Sequence, residues 1–276
     1  MTERLRPLAE LDRAAVAPLV GVLCDIDDTL TLHGRLVPEA FAGLAALSAA
    51  GLAVIPVTGR PAGWCDLIAR QWPVHGVVGE NGGLWFWMAA EGDGALRLRR
   101  GFWQPEAERA RNRAALDRLA GSILAAVPGT ALASDQGYRA LDLAIDFCED
   151  VPALDRAAVD GIVRAFTTAG ATCKVSSIHV NGWFGAFDKL AGFERMVAAL
   201  GLPAEPSRWA FVGDSANDAP MFSHFPLSVG VANVDAFLDR IPDWPRFRTD
   251  APGGLGFAAF ARRLLELRPR DTSPRA

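Results

Sequence analysis

Two acidic side chains follow the apolar run Gly21 to Cys24: Asp25 and Asp27, separated by Ile26, in the segment Asp25-Ile-Asp-Asp-Thr29. In an extended segment alternate side chains share a face, so the spacing predicts both carboxylates on one side, with Ile26 returned to the packed layer. Two close carboxylates repel unless a cation or a shared proton relieves them. A hard divalent ion such as Mg2+ takes oxygen ligands and often joins carboxylates to a substrate phosphate. Asp28 and Thr29 then turn the chain and offer backbone N–H groups and a hydroxyl, a concavity suited to an anion. Taken alone, the segment reads equally as a solvated acidic turn after a core strand.

Three further segments bear on that choice. A second apolar run, Trp209 to Val212, passes through Gly213 into Asp214, Ser215, Asn217 and Asp218, residue types of loops and helix caps. Between the two, the run Leu52 to Val57 delivers Thr58, Gly59 and Arg60 at its end, with Pro61 placed to open a helix. Finally, Lys189 starts an apolar helical pattern of Leu190, Phe193, Met196, Val197 and Leu200; alone it would be an ordinary solvated lysine.

Taken together, Asp25-Ile-Asp-Asp-Thr29, Val57-Thr-Gly-Arg60, Lys189 and Gly213-Asp-Ser-Ala-Asn-Asp-Ala-Pro-Met221 resemble, in order, the four motifs of the haloacid dehalogenase superfamily. The chain looks like its subfamily IIB, the Cof-type and sugar-phosphatase-like hydrolases, including Gly79-Glu-Asn-Gly-Gly83 and Leu227-Ser-Val-Gly-Val-Ala-Asn233. The resemblance covers about 20–83 and 186–268 and is weaker between them. Asp28 departs from it, standing where many relatives have glycine.

The resemblance implies a Mg2+-dependent phosphatase that hydrolyses a small phosphorylated metabolite, with a sugar phosphate leading, through an aspartyl-phosphate. Asp25 would be the nucleophile and Asp27 the acid–base. Mg2+ would be held by the Asp25 and Asp214 carboxylates and the Asp27 backbone carbonyl, with Asn217 and Asp218 supporting that shell and orienting Lys189. Thr58 and Lys189 would hold the transferring oxygens, joined in substrate contact by Gly59, Arg60 and Asn81. Of the later residues, His179 and Asn181 alternate onto one strand face and can hydrogen-bond a polyol, although His179 reads equally as a satisfied hinge histidine. Trp85, Trp87, Trp103 and Trp183 read as packing, and His33 as a supporting residue behind the nucleophile. The alternatives are a phosphomannomutase-like phosphosugar mutase, for which Arg139 is the lone candidate cation, and a catalytically silent phosphate-binding module. A dehalogenase is disfavoured by the second aspartate.

The elements that must position these residues alternate. Strand 20–25, helix 38–50, strand 52–57, helix 62–71 and strand 76–79 predict an α/β fold with a Rossmann-like, doubly wound parallel sheet. Ligands of such sheets bind beyond the carboxyl ends of the strands, where Asp25, Thr58 and Asp214 fall. After Gly83 the pattern changes. Strands 84–88 and 96–102 flank the turn Glu91-Gly-Asp-Gly94, helix 105–126 follows, and Tyr138 to Phe147 alternates as a half-exposed strand does. Helix 152–169 and strands 171–175 and 177–181 complete an inserted α/β cap domain at 84–185, between core parts 1–83 and 186–268. Helix 188–200, strand 208–213, helix 217–223, strand 227–231 and helix 255–267 finish the core, and 269–276 is expected to be a disordered tail.

Composition sets outer bounds. The 276 residues carry 50% hydrophobic side chains and a net charge of −4, enough apolar content for a sizeable core. No basic block interleaved with aromatics predicts nucleic-acid binding; Arg97, Arg99 and Arg100 read as a solvated face. Cys24, Cys65, Cys148 and Cys173 lack CxxC spacing, so neither a zinc site nor a disulfide framework is expected. Without a signal-like or spanning segment, the expectation is a cytoplasmic enzyme with no membrane partner, acting on a small-molecule phosphate ester. The oligomeric state is not legible.

Overall fold

The computed structural model describes residues 5–176, 178–239 and 243–268; the tail expected at 269–276 lies outside them, as does Ser177. In chain order the first elements are β1 (Arg6–Pro7), α1 (Arg13–Val16), β2 (Gly21–Cys24), β3 (Thr31–Leu32), β4 (Arg35–Leu36), α2 (Pro38–Ala49) and β5 (Ala53–Pro56). There follow α3 (Ala62–Gln71), β6 (Val77–Gly79), β7 (Leu84–Ala90), β8 (Leu96–Phe102), α4 (Glu106–Ala126), β9 (Ala131–Leu132), β10 (Leu143–Asp146), α5 (Arg156–Thr168), β11 (Thr172–Val175), β12 (His179–Trp183) and α6 (Lys189–Leu200). The last are β13 (Trp209–Gly213), α7 (Ala219–His224), β14 (Leu227–Gly230), β15 (Phe247–Arg248) and α8 (Gly253–Leu267). The described residues form two compact units, one drawn from 5–56, 73–75, 203–239 and 243–268, the other from 57–72, 76–176 and 178–202.

The first unit contains a six-stranded sheet of order β1-β15-β14-β13-β2-β5, parallel at every pairing. β2, β5, β13 and β14 are buried throughout, which is why they read as continuous apolar runs rather than alternating ones. From β2 the chain moves outward to β5, then returns on the other side of β2 with β13. The order therefore reverses between β2 and β13, and such a switch point opens a crevice at the carboxyl ends of the strands. The edge strand β1 and its neighbour β15, two residues each, are too brief for periodicity to reveal. α2 and α8 pack on each other through Gly43, whose absent side chain leaves room for Phe257 and Ala261.

The second unit carries two antiparallel sheets. The strand expected at 76–79 does not extend the parallel sheet by a ladder. As β6 it pairs antiparallel with β7, in the order β6-β7-β8, and meets Val57 only through a parallel bridge at Val78. The β7–β8 hairpin closes through Glu91, whose carbonyl accepts from Gly94 N at 2.8 Å, with Gly94 at φ +77°. The other sheet, β11-β12-β10-β9, packs against α4 and α5 around Leu116, Ile123, Ile145, Ile162, Phe166 and Val180. Gly182 in β12 is required there, because a Cβ would lie 2.1 Å from the Phe166 ring.

The half-exposed strand expected at Tyr138 to Phe147 is shorter and differently buried. Residues 136–138 form a 3-10 turn, and only Leu143–Asp146 are extended, all four buried. Apolar–polar alternation misled here because Asp146 is buried by capping the next turn, accepting from the backbone N–H groups of Cys148, Glu149 and Asp150 at 2.8–2.9 Å. Among the described residues, no helix is long and apolar enough to cross a membrane.

Candidate active site

β2 ends at Cys24, and Asp25 follows with its N–H bonded to Val212 O at 2.9 Å, one step beyond the β2–β13 ladder. The extended spacing expected through Asp27 does not continue. The N–H groups of Thr29, Leu30 and Thr31 all converge on the Ile26 carbonyl at 2.8–3.3 Å, wrapping the loop into a tight turn with Asp28 at φ +54°. That positive φ explains how a position glycine often occupies accepts aspartate, which tolerates the left-handed region better than most residues. Ile26 is buried as expected. Asp25 is buried and Asp27 half-buried, so their separation is set by a turn and not by a pleat.

The anion concavity expected at Asp28 and Thr29 is closed by internal bonds. Asp28 N donates to Thr31 Oγ1 at 2.8 Å, and the Thr29 hydroxyl donates to Asp214 Oδ1 at 3.2 Å.

Asp214 emerges from β13 across the switch point. Ligand oxygens of Asp25, Asp214 and Asp218 lie within 4.8 Å of one another, and the three residues are 4%, 2% and 0% exposed. Asp218 thus brings its carboxylate into the group itself, while the Asp27 carboxylate is not among the three. Asp218 Oδ2 also accepts from Asp214 N at 3.0 Å and completes a capping box with Ser215, which ties loop shape to cluster shape. Gly213 makes this possible, since a Cβ there would stand 2.5 Å from Asp218 Oδ2. Asn217 Oδ1 accepts from Ser215 Oγ at 2.8 Å. Three gathered, buried carboxylates are a hard-oxygen donor set suited to a divalent cation such as Mg2+.

In the second unit, Thr58 is buried and donates N–H to Val78 O at 2.9 Å. Its hydroxyl oxygen accepts from Arg60 N at 3.1 Å, which leaves the hydroxyl hydrogen available as a donor. Asn81 N donates to Thr58 O at 3.0 Å, and Asn81 Nδ2 is buried without a hydrogen-bond partner. Glu80 and Asn81 both have positive φ, +45° and +55°, a strained pair of the kind that collects at working sites. Lys189, 5% exposed, opens α6, whose start is capped by Asp188 through Ala191 N at 2.9 Å. Gly82 lies against that start, with Asp188 O 1.8 Å from where its Cβ would be.

Arg60, Arg139, His179 and Asn181, expected over a substrate, are joined in a buried polar network of the same unit. Arg60 reaches Asp135 at 3.5 Å and Glu149 at 3.2 Å and lies 4.4 Å over the Trp64 ring. Arg139 grips Asp135 and Asp142 and donates to Gly59 O at 3.0 Å. Asn181 donates to Asp142 Oδ2 at 2.9 Å, and His179 Nε2 lies 2.9 Å from Glu149 Oε2. Trp183 is buried and stacked on Phe187 at 5.4 Å, as packing predicts. His33 is exposed in the β3–β4 turn at φ +53°.

Residues that sequence reasoning passed over are Thr29 as a holder of Asp214, Asn233 and Glu80. Asn233 donates to Asp28 O at 3.0 Å and to Asp214 Oδ2 at 3.2 Å; it ended a quoted motif, and that was its only signal. Glu80 is fully buried and accepts four backbone N–H groups, from Ala62, Ala140, Leu141 and Asp142 at 2.6–3.1 Å. Burial and then Asp142 push it up to about 7, against those donors. Nothing local in the sequence marks a glutamate that joins segments 60 residues apart.

No protein-family model matches the sequence, and no curated protein matches it. Solved structures do. A Thermoplasma acidophilum protein superposes with a TM-score of 0.66 at 18% identity, over 90% of this chain and 99% of that one. A Plasmodium vivax protein described as a HAD/COF-like hydrolase gives 0.64 at 16% identity, over 92% and 99%. The sucrose-phosphatase of Synechocystis sp. PCC6803, solved with sucrose and phosphate, gives 0.61 at 15% identity, over 91% and 98%. With its carboxylates at the switch point of a parallel sheet, the chain has the fold of the haloacid dehalogenase-like hydrolases.

Proposed function

We propose that this chain is a phosphatase of the haloacid dehalogenase type that hydrolyses a small phosphate ester. The observation that carries the reading is the Asp25–Asp214–Asp218 cluster at the switch point of the sheet. Asp25 attacks the phosphorus, the ester P–O bond breaks, and the leaving alkoxide takes a proton from Asp27. Asp27 then removes a proton from water as that water attacks the phosphoryl group, and the Asp25 carboxylate is released. The half-exposed position of Asp27 suits a group that must exchange protons with solvent. Asp25, Asp214 and Asp218, with the Asp27 carbonyl, would hold Mg2+, which when bound neutralises charge on the phosphate and its attacking carboxylate. Thr58 and Lys189 are assigned by their motifs to the transferring oxygens.

Residues 84–185 are assigned to a cap that selects the substrate, and a sugar phosphate is the favoured class, consistent with the sucrose-phosphatase likeness. A mutase needs a cation for a distant second phosphate; Arg139, committed to Asp135, Asp142 and Gly59, does not supply it. The test is phosphate release from a panel of phosphorylated metabolites, with Mg2+ or EDTA. Wild type should release phosphate only with the metal, and Asp25→Asn should lose at least about 10^3-fold in kcat/KM. Retained turnover in that variant would sink the assignment.

A further inference from the structure

We propose that Thr29 and Asn233 are positioning residues that hold the Asp214 carboxylate for its cation. Each takes one oxygen: the Thr29 hydroxyl donates to Oδ1 at 3.2 Å and the Asn233 amide to Oδ2 at 3.2 Å. The amide orientation is settled by chemistry. Gly253 N, a donor, sits 3.0 Å from Asn233 Oδ1, so the opposite end must be the NH2, which reaches both Asp214 Oδ2 and Asp28 O. Outer partners of this kind fix the orientation of a metal-ligating carboxylate.

The clamp is anchored on both sides. Thr29 is fully buried, in the same turn that carries Asp25 and Asp27. Asn233 belongs to the 3-10 turn Ala232–Phe237, held by Val231 N on Gly213 O at 3.0 Å and by Ala232 N on Ala251 O at 3.1 Å. Gly253 and Gly254 open α8 directly against the nucleophile turn, because a Cβ on either would lie 2.4 Å from the carbonyl of Thr31 or Leu30. One amide therefore ties together the nucleophile turn, the Asp214 loop and the start of α8. Without it the Asp214 carboxylate would gain rotational freedom, and that freedom would have to be lost again when a cation binds.

The inference rests on the metal-dependent phosphatase reading for its activity arm, but metal binding can be read without turnover. Free Mn2+ would be titrated by electron paramagnetic resonance into wild type, Thr29→Val, Asn233→Ala and Asp214→Asn. Thr29→Val and Asn233→Ala should each weaken Mn2+ binding about 10- to 100-fold, and Asp214→Asn should abolish it. In the two positioning variants, kcat at saturating Mg2+ should climb back toward wild type while the Mg2+ requirement rises, a split that general damage to the fold would not give. Thr29→Val preserves side-chain shape and serves if Asn233→Ala fails to fold. Wild-type Mn2+ affinity in Thr29→Val and Asn233→Ala, with binding lost in Asp214→Asn, would overturn the clamp. Unaltered binding in Asp214→Asn would overturn the metal reading itself.

Discussion

Two groups of buried acids in this chain are built differently. In the first unit Asp25, Asp214 and Asp218 converge to within 4.8 Å, and Asp214 is gripped by a hydroxyl and an amide, both neutral donors. In the second unit Asp135, Asp142 and Glu149 face guanidinium groups of Arg60 and Arg139 at 3.0–3.5 Å. Neutral donors orient a carboxylate without cancelling its charge, whereas an arginine cancels it. The first arrangement suits acids that must receive a cation, the second acids that must hold a fold. Burial alone would not separate them; the convergence of the first group and the guanidinium partners of the second do.

The comparison breaks most visibly at Arg139, whose side chain is 1% exposed between Asp135 and Asp142. Arg139→Ala would leave those carboxylates buried beside each other, and removing one partner of a buried pair costs about 3–5 kcal/mol. The melting temperature should fall by on the order of 10 °C. Replacing both partners, as in Arg139→Met with Asp142→Leu, should recover part of the loss, since the penalty lies in the orphaned charge. A melt within 2 °C of wild type for Arg139→Ala would mean that this network is not structural, and would return Arg139 to the candidates for substrate contact.

The first group responds to added cation instead. Saturating Mg2+ should raise the melting temperature of wild type, since a ligand at about 100 times its Kd adds about 2.7 kcal/mol. Asp214→Asn should show no such rise, and Arg139→Ala should keep it. A Mg2+ shift that survives Asp214→Asn would erase the distinction between the two groups.

How much of this was legible follows from what each feature depends on. β2 and β13 could be read because a strand buried on both faces is written as an unbroken apolar run, and Asp25 and Asp214 because each ends such a run. The geometry after Asp25 could not be read. Whether a residue continues the pleat or turns depends on three N–H groups meeting the Ile26 carbonyl, and no periodicity encodes that. The resemblance makes Asp218 a supporter of the metal shell, whereas its carboxylate joins the cluster itself because Gly213 leaves space for it. Alternation puts His179 and Asn181 on one strand face as substrate contacts, and Arg139 is the lone cation a mutase reading offers. The structure buries them against partners far along the chain: Gly59, Glu149 and Asp142.

The smallest and finest discriminator is Glu149, the most accessible acid of the second group, with its side chain 29% exposed. Its contact with His179, and after an opposing burial effect the charge of Arg60, hold its carboxyl down to about 2. A depressed carboxyl contributes stability that is fully present above the unfolded-state value of about 4.3 and is lost as pH falls through the folded value. Glu149→Gln should therefore be less stable than wild type at pH 7, by about 1 kcal/mol once solvent screening is allowed for. Between pH 5 and pH 2, on the order of the two limits of its titration, the two denaturation midpoints should converge. Urea unfolding at a series of pH values measures this directly. A constant gap would show that Glu149 acts through shape, and midpoints equal at pH 7 would show that the Arg60–Glu149–His179 contacts leave stability untouched. In either case the charge-cancelling character assigned to the second group would then rest on Asp135, Asp142 and Arg139 alone.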